Sequence, residues 1–559
     1  MTDSRSEVIV TAFSLPLIFY STLFIIFFVL LLEILCIYIY NLTLDEKKER
    51  YMLKNPFKFF FSSEESNTKV ANNRLFSYAA GLAGQNISYN FISSRLFVFM
   101  NTVLGIDPKK TGLITSISTL WDAVNDPIVG TLVDARKFRP GNKLRPLVIW
   151  TSPLAGLFIA LMFFDYNLST TATVVLMLVL YLLFDLIYSF QDVAMWGLLP
   201  LSSPSSDERA RVSQWVTIGA GLGATIGGAF PMIRSLLVGN KILTEKNAYA
   251  LGGIVFGFGG MLIAMLAYRM KEKVHYEGEK QISVIESLKS LKHNKKLLII
   301  CLARFLGSLS LTLPWEYFFE TDGIVYNFFG HELSGGTMQV IHGLVPGIPG
   351  AFAMFFATKF AHKIGGMKRV LVLSEILQII CRVSAFAIGS NDRFLNPTAL
   401  ILIWVLLAIC NIPISMKDIA HRSLISDSID EVELKTGERT EGIVFSMQNF
   451  ISKLSSAATN FIKGVMLSRM GFVNISDSKG KAIDGAALIR MQSKSSKFYK
   501  YRWHQFMLGP VVGSVLYLIT ILFLNDDREH MAEVERQLKE KRAQIEKETL
   551  ALEALEGAE

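Results

Sequence analysis

Cysteine is scarce. Cys36, Cys301, Cys381 and Cys410 are the only four in 559 residues, each inside an apolar run and far from the others. That excludes a disulfide framework and any zinc spacing, and leaves inert packing thiols. Charge is thin as well: 19% of residues are charged against 51% hydrophobic, which excludes an ordinary soluble protein. Short alternating apolar segments are missing, so a β-barrel is not expected. No nucleophile–base pair, metal cluster or phosphate loop can be assembled, so neither an enzyme nor a bound cofactor is expected. No nucleic-acid module is present, and the net charge of +8 reads as basic loops on one side of a membrane. The first apolar run, Val8 to Tyr40, is too long for a signal-peptide core and lacks a small-residue cleavage site.

What remains is a series of long apolar runs, the pattern of an all-α polytopic membrane protein. Residues 1–41 read as an extra N-terminal membrane helix and 42–74 as a basic cytoplasmic linker. Twelve further spans are expected at 75–103, 111–135, 146–166, 171–201, 211–237, 248–270, 295–322, 335–364, 369–391, 397–422, 441–471 and 502–524. Basic clusters precede the first of these spans and follow the second, fourth, sixth and eighth, alternating with base-poor loops such as 167–170 and 323–334. The positive-inside rule then places both ends of the twelve-span unit in the cytoplasm and the N-terminus outside. The loop 472–500 carries bases on the wrong side, which a long loop tolerates. A cytoplasmic loop at 271–294 divides two six-helix halves, 75–270 and 295–525. A weak repeat supports the division: the short, basic, glycine-containing stretches 130–145 and 358–369 each follow the second span of a half. Residues 526–559 read as a charged cytoplasmic helical tail, whose protein partner is open.

The polar residues inside the spans carry the chemistry. Asp122, Asn125 and Asp126 are spaced i, i+3, i+4, so a helix places them on one face. Two carboxylates and an amide at membrane depth suit a hard cation, Na⁺, or a proton. The other reading is a pair of buried acids tied to Arg or Lys of neighbouring helices. In the fourth span Asp185, Ser189, Asp192 and Trp196 also share a face. A carboxylate beside an indole suits a polyhydroxylated ligand, the acid accepting from hydroxyls and the ring covering an apolar sugar face. A structural ion pair with a packing tryptophan is the alternative. Lys453 is mid-span, beside Gln448 and Asn449. It needs a carboxylate partner, and the acids of spans two and four are the candidates, as either a structural pair or a coupling element. Asn86, Asn90 and Arg95 add polarity to the first span; Arg95 reads as a contact for an anionic substrate, a partner of a buried acid or a side chain snorkelling to the outer end, with the structural role favoured. The charged stretch 427–442, with Asp427, Asp430 and Arg439, is read as a cytoplasmic loop whose acids latch onto Arg136, Arg139 and Arg145, or as a merely solvated loop.

The run Trp121-Asp-Ala-Val-Asn-Asp-Pro127 resembles the cation-site motif of the glycoside–pentoside–hexuronide:cation symporters, the melibiose permease-like family of the major facilitator superfamily. Supporting stretches are Tyr78–Gly81 through Asn86, Asp192 through Pro200, the entry to the seventh span at 288–298, and the 427–453 block ending at Lys453; together they span roughly 75–525. The resemblance implies a twelve-helix fold of two pseudo-symmetric halves in the cell membrane. It implies cation ligation by Asp122, Asn125 and Asp126, with Ser189 completing the site, and substrate contact by Asn86, Asp192, Trp196, Gln448, Asn449 and Lys453. Asn86 replaces a sugar-binding aspartate, and Thr217 an arginine, of melibiose permease, which counts against galactoside recognition. The expected activity is uptake of a sugar or glycoside coupled to Na⁺ or H⁺ by alternating access. A transporter of lysolipids or other amphiphiles, and a non-transporting membrane sensor, are the alternatives.

Overall fold

A computed structural model describes residues 66, 68–135, 143–273, 294–311, 313, 316–319, 326–353, 356–436, 441–470 and 497–524, with scattered positions between 533 and 540. The expected N-terminal helix, most of its linker, most of the 271–294 and 472–500 loops and most of the tail lie outside these residues. So do Arg136, Arg139 and Arg439. The chain separates into two units. The first, Met1–Ser66 with Ala71–Asn73, is almost wholly outside the described residues. The second, Asn67–Val70 with Arg74–Glu559, holds the helical body.

That body begins with α1 (Asn72–Thr102), α2 (Pro108–Ala135), α3 (Arg145–Met162), α4 (Thr170–Leu201), α5 (Ser206–Gly228) and α6 (Phe230–Gly239). It continues with α7 (Glu245–Gly252), a π-helical stretch at Gly253–Gly259, α8 (Gly260–Ala264) and a 3₁₀ turn at Met265–Arg269. After the 274–293 segment come α9 (Lys295–Ser308), α10 (Glu316–Phe319), α11 (Gly335–Ala353), α12 (Ala357–Ile364), α13 (Met367–Gly389), α14 (Pro397–Thr436), α15 (Glu441–Arg469) and α16 (Lys497–Leu522). Local chemistry sets the starts: Ser169, Ser205, Thr244 and Asn294 each accept a hydrogen bond from a backbone N–H of the first turn of α4, α5, α7 and α9. The end of α12 is set by Gly365 at φ +99°, the left-handed position that closes a helix.

Seven stretches among the described residues are long and apolar enough to cross a membrane, including α3, α4, α13 and most of α14. α1, α2 and α15 are not among them, because they carry the polar residues described below. α2 shows the membrane pattern directly. Leu113, Leu120, Val124, Ile128 and Leu132 are exposed while Ser118 and Asn125 are buried, an apolar face turned outward and a polar face turned in.

Several expectations are corrected. The 211–237 span holds as one apolar crossing, Glu208–Gly239, but its helix is interrupted at Ala229, ahead of Pro231. The 295–322 span ends at Ser308 and resumes as the short α10. The 427–442 stretch is not a free loop at its start: α14 continues to Thr436, so Asp427 and Asp430 sit on a helix. There Asn294 Nδ2 donates to the Ser428 carbonyl at 3.2 Å and Lys296 pairs with Glu431 at 3.3 Å, fastening the helix to the start of α9. The apolar period alone cannot show this, because the extension is amphiphilic and charged. The all-α expectation also gains a hairpin, β1 (Tyr326–Phe328) against β2 (His331–Leu333), turned by Phe329 and Gly330 at positive φ.

Backbone approach decides how α1 is held. Gly219, Gly223 and Gly227 form a stripe on α5 against the Ala79, Ala83 and Ile87 carbonyls of α1; a Cβ at Gly223 would stand 2.1 Å from the Ala83 oxygen. On the other side, Ser88 Oγ lies 2.9 Å from the Phe256 carbonyl and 2.8 Å from that of Gly257. The π-helical stretch disturbs the regular backbone ladder, and the α1 hydroxyl meets its carbonyls. Gly223→Val is expected to cost about 1–3 kcal/mol through overpacking and to lower the thermal midpoint of the purified protein. Gly221→Val, with nothing within 4 Å of its added Cβ, is expected to leave that midpoint within a degree or two.

Candidate substrate and cation site

α1, α2, α4 and α15 supply most of the lining of a cavity of about 850 Å³, a size that suits a small-molecule ligand. At its middle α2 presents Asp122, Asn125 and Asp126 to Ser189 of α4. The Ser189 hydroxyl oxygen is 2.9 Å from Asp126 Oδ1, 3.4 Å from Asp122 Oδ1 and 3.0 Å from the Asp185 carbonyl, and accepts from Asn125 Nδ2 at 2.9 Å. One hydroxyl proton faces three acceptors, so the cluster holds more oxygen lone pairs than protons.

Lys453 of α15 closes the cluster. Its Nζ lies 3.0 Å from Asp122 Oδ2, pairs with the Asp126 carboxylate and donates to the Asp122 carbonyl at 3.0 Å. All three ammonium protons are engaged. The bridge is reachable by water: the side-chain exposures are 20% for Lys453, 29% for Asp122 and 45% for Asp126. An ion arriving from the cavity therefore meets these carboxylates without unfolding anything.

The other predicted residues divide. Asp192 lines the cavity and accepts from Gln85 Nε2 at 2.9 Å. Trp196, Asn449 and Asn86 line it too, Asn86 with its amide nitrogen on the Leu82 carbonyl at 2.9 Å. Gln448 does not reach the cavity lining, and its buried Nε2 has no hydrogen-bond partner. Arg145 meets Tyr268, with Nε 2.8 Å from its carbonyl and the guanidinium 4.4 Å from its ring centroid. It is thus engaged beside its own helix rather than with Asp427 or Asp430.

Several residues in or behind the cavity wall escape the sequence reading. Gln85 orients Asp192. Tyr89 stacks on Tyr188 at 5.3 Å, an apolar platform between α1 and α4. Ser118 donates to the Asp185 carboxylate. Ser118 lies one turn before Asp122 and Tyr188 one residue before Ser189, so following the two polar faces by a turn finds both; nothing in the spacing finds Gln85 over Asn86.

The end of the cavity nearest Thr102 is closed by direct contacts between early and late helices. Tyr317 donates its hydroxyl to Asn101 Oδ1 at 2.6 Å, and Asn101 Nδ2 in turn donates to the Ile106 carbonyl and Thr111 Oγ1. Gly112 of α2 meets Gly464 of α15 backbone to backbone, and Ser116 Oγ donates to the Ala457 carbonyl at 2.8 Å.

This arrangement coincides with membership. A family model described as MFS/sugar transport protein matches residues 77–496. The chain belongs to that family. It is a multi-pass membrane transporter of the family and not an enzyme, in line with the resemblance carried by residues 121–127. It is similar to the isoprimeverose transporter of Lactiplantibacillus pentosus, 26% identical over 458 residues, covering 81% of this chain and 88% of that one. It is similar also to the lactose permease of Lactobacillus delbrueckii subsp. bulgaricus, 24% identical over 414 residues, covering 71% of this chain and 63% of that one. Its fold matches the crystal structure of a bacterial homolog of the human lysosomal transporter Spinster in an inward-facing, unoccupied conformation. There the TM-score is 0.54 at 11% identity, over 83% of this chain and 98% of that one.

Because Lys453 and Asp126 share one bridge, their contributions to stability are coupled. A double-mutant cycle of Asp126→Asn and Lys453→Met, read by thermal unfolding in detergent, is expected to give an interaction energy of about 1–3 kcal/mol. Additive effects would show that the pair does not hold the helices together.

Proposed function

We propose that the protein is a secondary active symporter that moves a sugar or glycoside together with Na⁺ or H⁺. The observation that carries this reading is the Lys453 bridge to Asp122 and Asp126, set in the wall of a cavity that Asp192, Trp196, Tyr89 and Tyr188 also line. Two carboxylates and the Ser189 hydroxyl, which the Asn125 amide nitrogen holds in place, form an oxygen donor set for a hard monovalent cation or a proton. A cation there competes with the Lys453 ammonium for the same oxygens. Displaced Lys453 then turns toward the cavity, and Asp192 with the stacked tyrosines and Trp196 receives a hydroxylated ligand. By linkage, the sugar raises cation affinity by the factor with which the cation raises sugar affinity.

The names of the relatives support the substrate class: two of them are called for saccharides, isoprimeverose and lactose. In this reading twelve segments cross the membrane as two halves, 75–270 and 295–525. The N-terminus is outside and the Leu201 end of α4 is cytoplasmic, following the distribution of basic residues. The Tyr317–Asn101 and Gly112–Gly464 contacts then close the outer side. Rocking of the halves exposes the cavity to each side in turn, and Asp427 and Asp430 latch the cytoplasmic side against Arg136 and Arg139.

Uptake by proteoliposomes of isoprimeverose, lactose, free pentoses and hexuronates, under an imposed Na⁺ gradient and then a pH gradient, tests this. One sugar class is expected to accumulate under one gradient, and Asp126→Asn to abolish accumulation while the protein remains folded in the bilayer. Gradient-driven accumulation by Asp126→Asn at the wild-type level would overturn the cation assignment.

A further inference from the structure

A groove of about 550 Å³ lies behind α15. Phe461, Ile462, Val465, Met466 and Arg469 line it, whereas Asn449, Ser452, Lys453, Ser456, Asn460 and Lys463 line the cavity of the Lys453 bridge. At about 100° per residue these two sets occupy opposite faces of one helix. The groove lies between the end of α15 and the start of α16, both of which pack on α9. Leu311, just past α9, also lines it and donates its N–H to the Gly509 carbonyl of α16 at 3.3 Å. Tyr501, His504 and Gln505 of α16 complete the wall. Phe461 and Tyr501 are exposed, so the groove is open to whatever surrounds the helices. Gly464 meets Gly112 and the Pro108 carbonyl at the start of α2, which places the groove at the Thr102 end.

In a multi-pass membrane protein, an open apolar groove between helices meets acyl chains, not water. The polar groups at its edge share one property: they donate. Arg469 offers a guanidinium, and no carboxylate lines the groove or pairs with Arg469 among the described residues. Gln505 presents a buried Nε2 that has no hydrogen-bond partner. Tyr501 and His504, ring against ring at 5.7 Å, add O–H and N–H groups. Arg469 ends α15, roughly 24 Å along the helix from Lys453, and Tyr501 lies in the first turns of α16. Bases and aromatic rings at helix ends are what meets lipid headgroups. A phosphodiester and the carboxylic esters of a diacyl lipid offer only acceptor oxygens, and a guanidinium fork matches the phosphate. With no acid in the wall, nothing receives the ammonium of a choline or ethanolamine, so a net-negative headgroup fits.

We infer that this groove binds one anionic diacyl phospholipid from the leaflet at the Thr102 end. The phosphate sits on Arg469 beside Tyr501 and His504, Gln505 Nε2 donates to an ester carbonyl, and an acyl chain lies along Phe461, Ile462, Val465 and Met466. The site is separate from the solute cavity and holds whichever solute and ion are carried. Its consequence for the transporter is positional. A lipid in the groove fills the space between α15 and α16 and braces α15 from behind, on the face opposite Lys453.

The test is native mass spectrometry of the purified, delipidated full-length protein in detergent. It is titrated with dioleoyl phosphatidylglycerol, with dioleoyl phosphatidylcholine, and with glycerol 3-phosphate as a headgroup without chains. The wild type is expected to hold one phosphatidylglycerol about tenfold or more tighter than phosphatidylcholine, and glycerol 3-phosphate far more weakly than either lipid. Arg469→Gln is expected to lower phosphatidylglycerol affinity by about 10- to 100-fold while changing phosphatidylcholine less than about threefold. Arg469→Lys, which keeps the charge, is expected to retain most of the preference and guards against misfolding of the glutamine variant. Val465→Trp, which fills the apolar stretch, is expected to weaken both lipids. Equal affinity for the two lipids, a preference that survives Arg469→Gln, or undiminished lipid binding by Val465→Trp would overturn the site. Glycerol 3-phosphate bound as tightly as phosphatidylglycerol would show a site for free anions and overturn the lipid assignment.

Discussion

The salt bridge from Lys453 to Asp122 and Asp126 is the constraint around which the rest of the molecule is arranged. It joins α15 to α2, helices from opposite sides of the 274–293 segment. A bridge of that kind is a poor stabiliser compared with apolar packing, because removing three charges from water costs about as much as their attraction returns. In the proposed mechanism its value lies in being exchangeable. The three groups remain partly exposed to the cavity, so an ion or proton can take the place of the ammonium. Removing either partner in full leaves uncompensated charge. The surrounding polar groups, Ser189, Asn125 and Ser118, hold the carboxylates in position without neutralising them.

The packing around the bridge is stiff where the bridge is soft. α1 is fixed between the glycine stripe of α5 and the π-helical stretch at Gly253–Gly259, with backbones nearly touching. Phe91, Phe99, Phe163, Phe230 and Tyr249 interlock behind it. Thus Gln85, Asn86 and Tyr89 are presented to the cavity from a rigid helix. The contacts that cross to the later helices at the Thr102 end are mixed: a tyrosine hydroxyl on an asparagine, a serine on a carbonyl, a meeting of two glycines, and Phe97 and Val98 of α1 buried in one apolar cluster with Leu313, Tyr317 and Leu467.

Much of this was legible from residue types and spacing. The i, i+3, i+4 pattern of Asp122, Asn125 and Asp126 puts their side chains on one face, and α2 carries them so. The need of Lys453 for a carboxylate follows from the cost of a mid-span ammonium, and the partners are acids of the second span. Other features were not legible, for physical reasons. The continuation of α14 through Asp427 and Asp430 has no apolar face long enough to announce a helix; it is held by Asn294 and Lys296 from a distant part of the chain. The break at Ala229 depends on a proline within an otherwise continuous apolar run. Gln85 owes its position to how α1 crosses α4, which no single-helix pattern encodes. Gln448 has the right neighbourhood in sequence and the wrong face in space, one residue's rotation of 100° from Asn449.

If Lys453 and the coupling ion compete for the same oxygens, removing the lysine must alter cation affinity in a definite direction. The decisive measurement is calorimetric titration of Na⁺ into purified wild type, Lys453→Met and Asp126→Asn, paired with proton uptake after a pH jump. Tighter binding of Na⁺ or of a proton by Lys453→Met than by the wild type, together with its loss in Asp126→Asn, is the predicted result. Unchanged cation affinity in Lys453→Met, or undiminished binding by Asp126→Asn, would contradict an exchangeable bridge at the centre of this transporter.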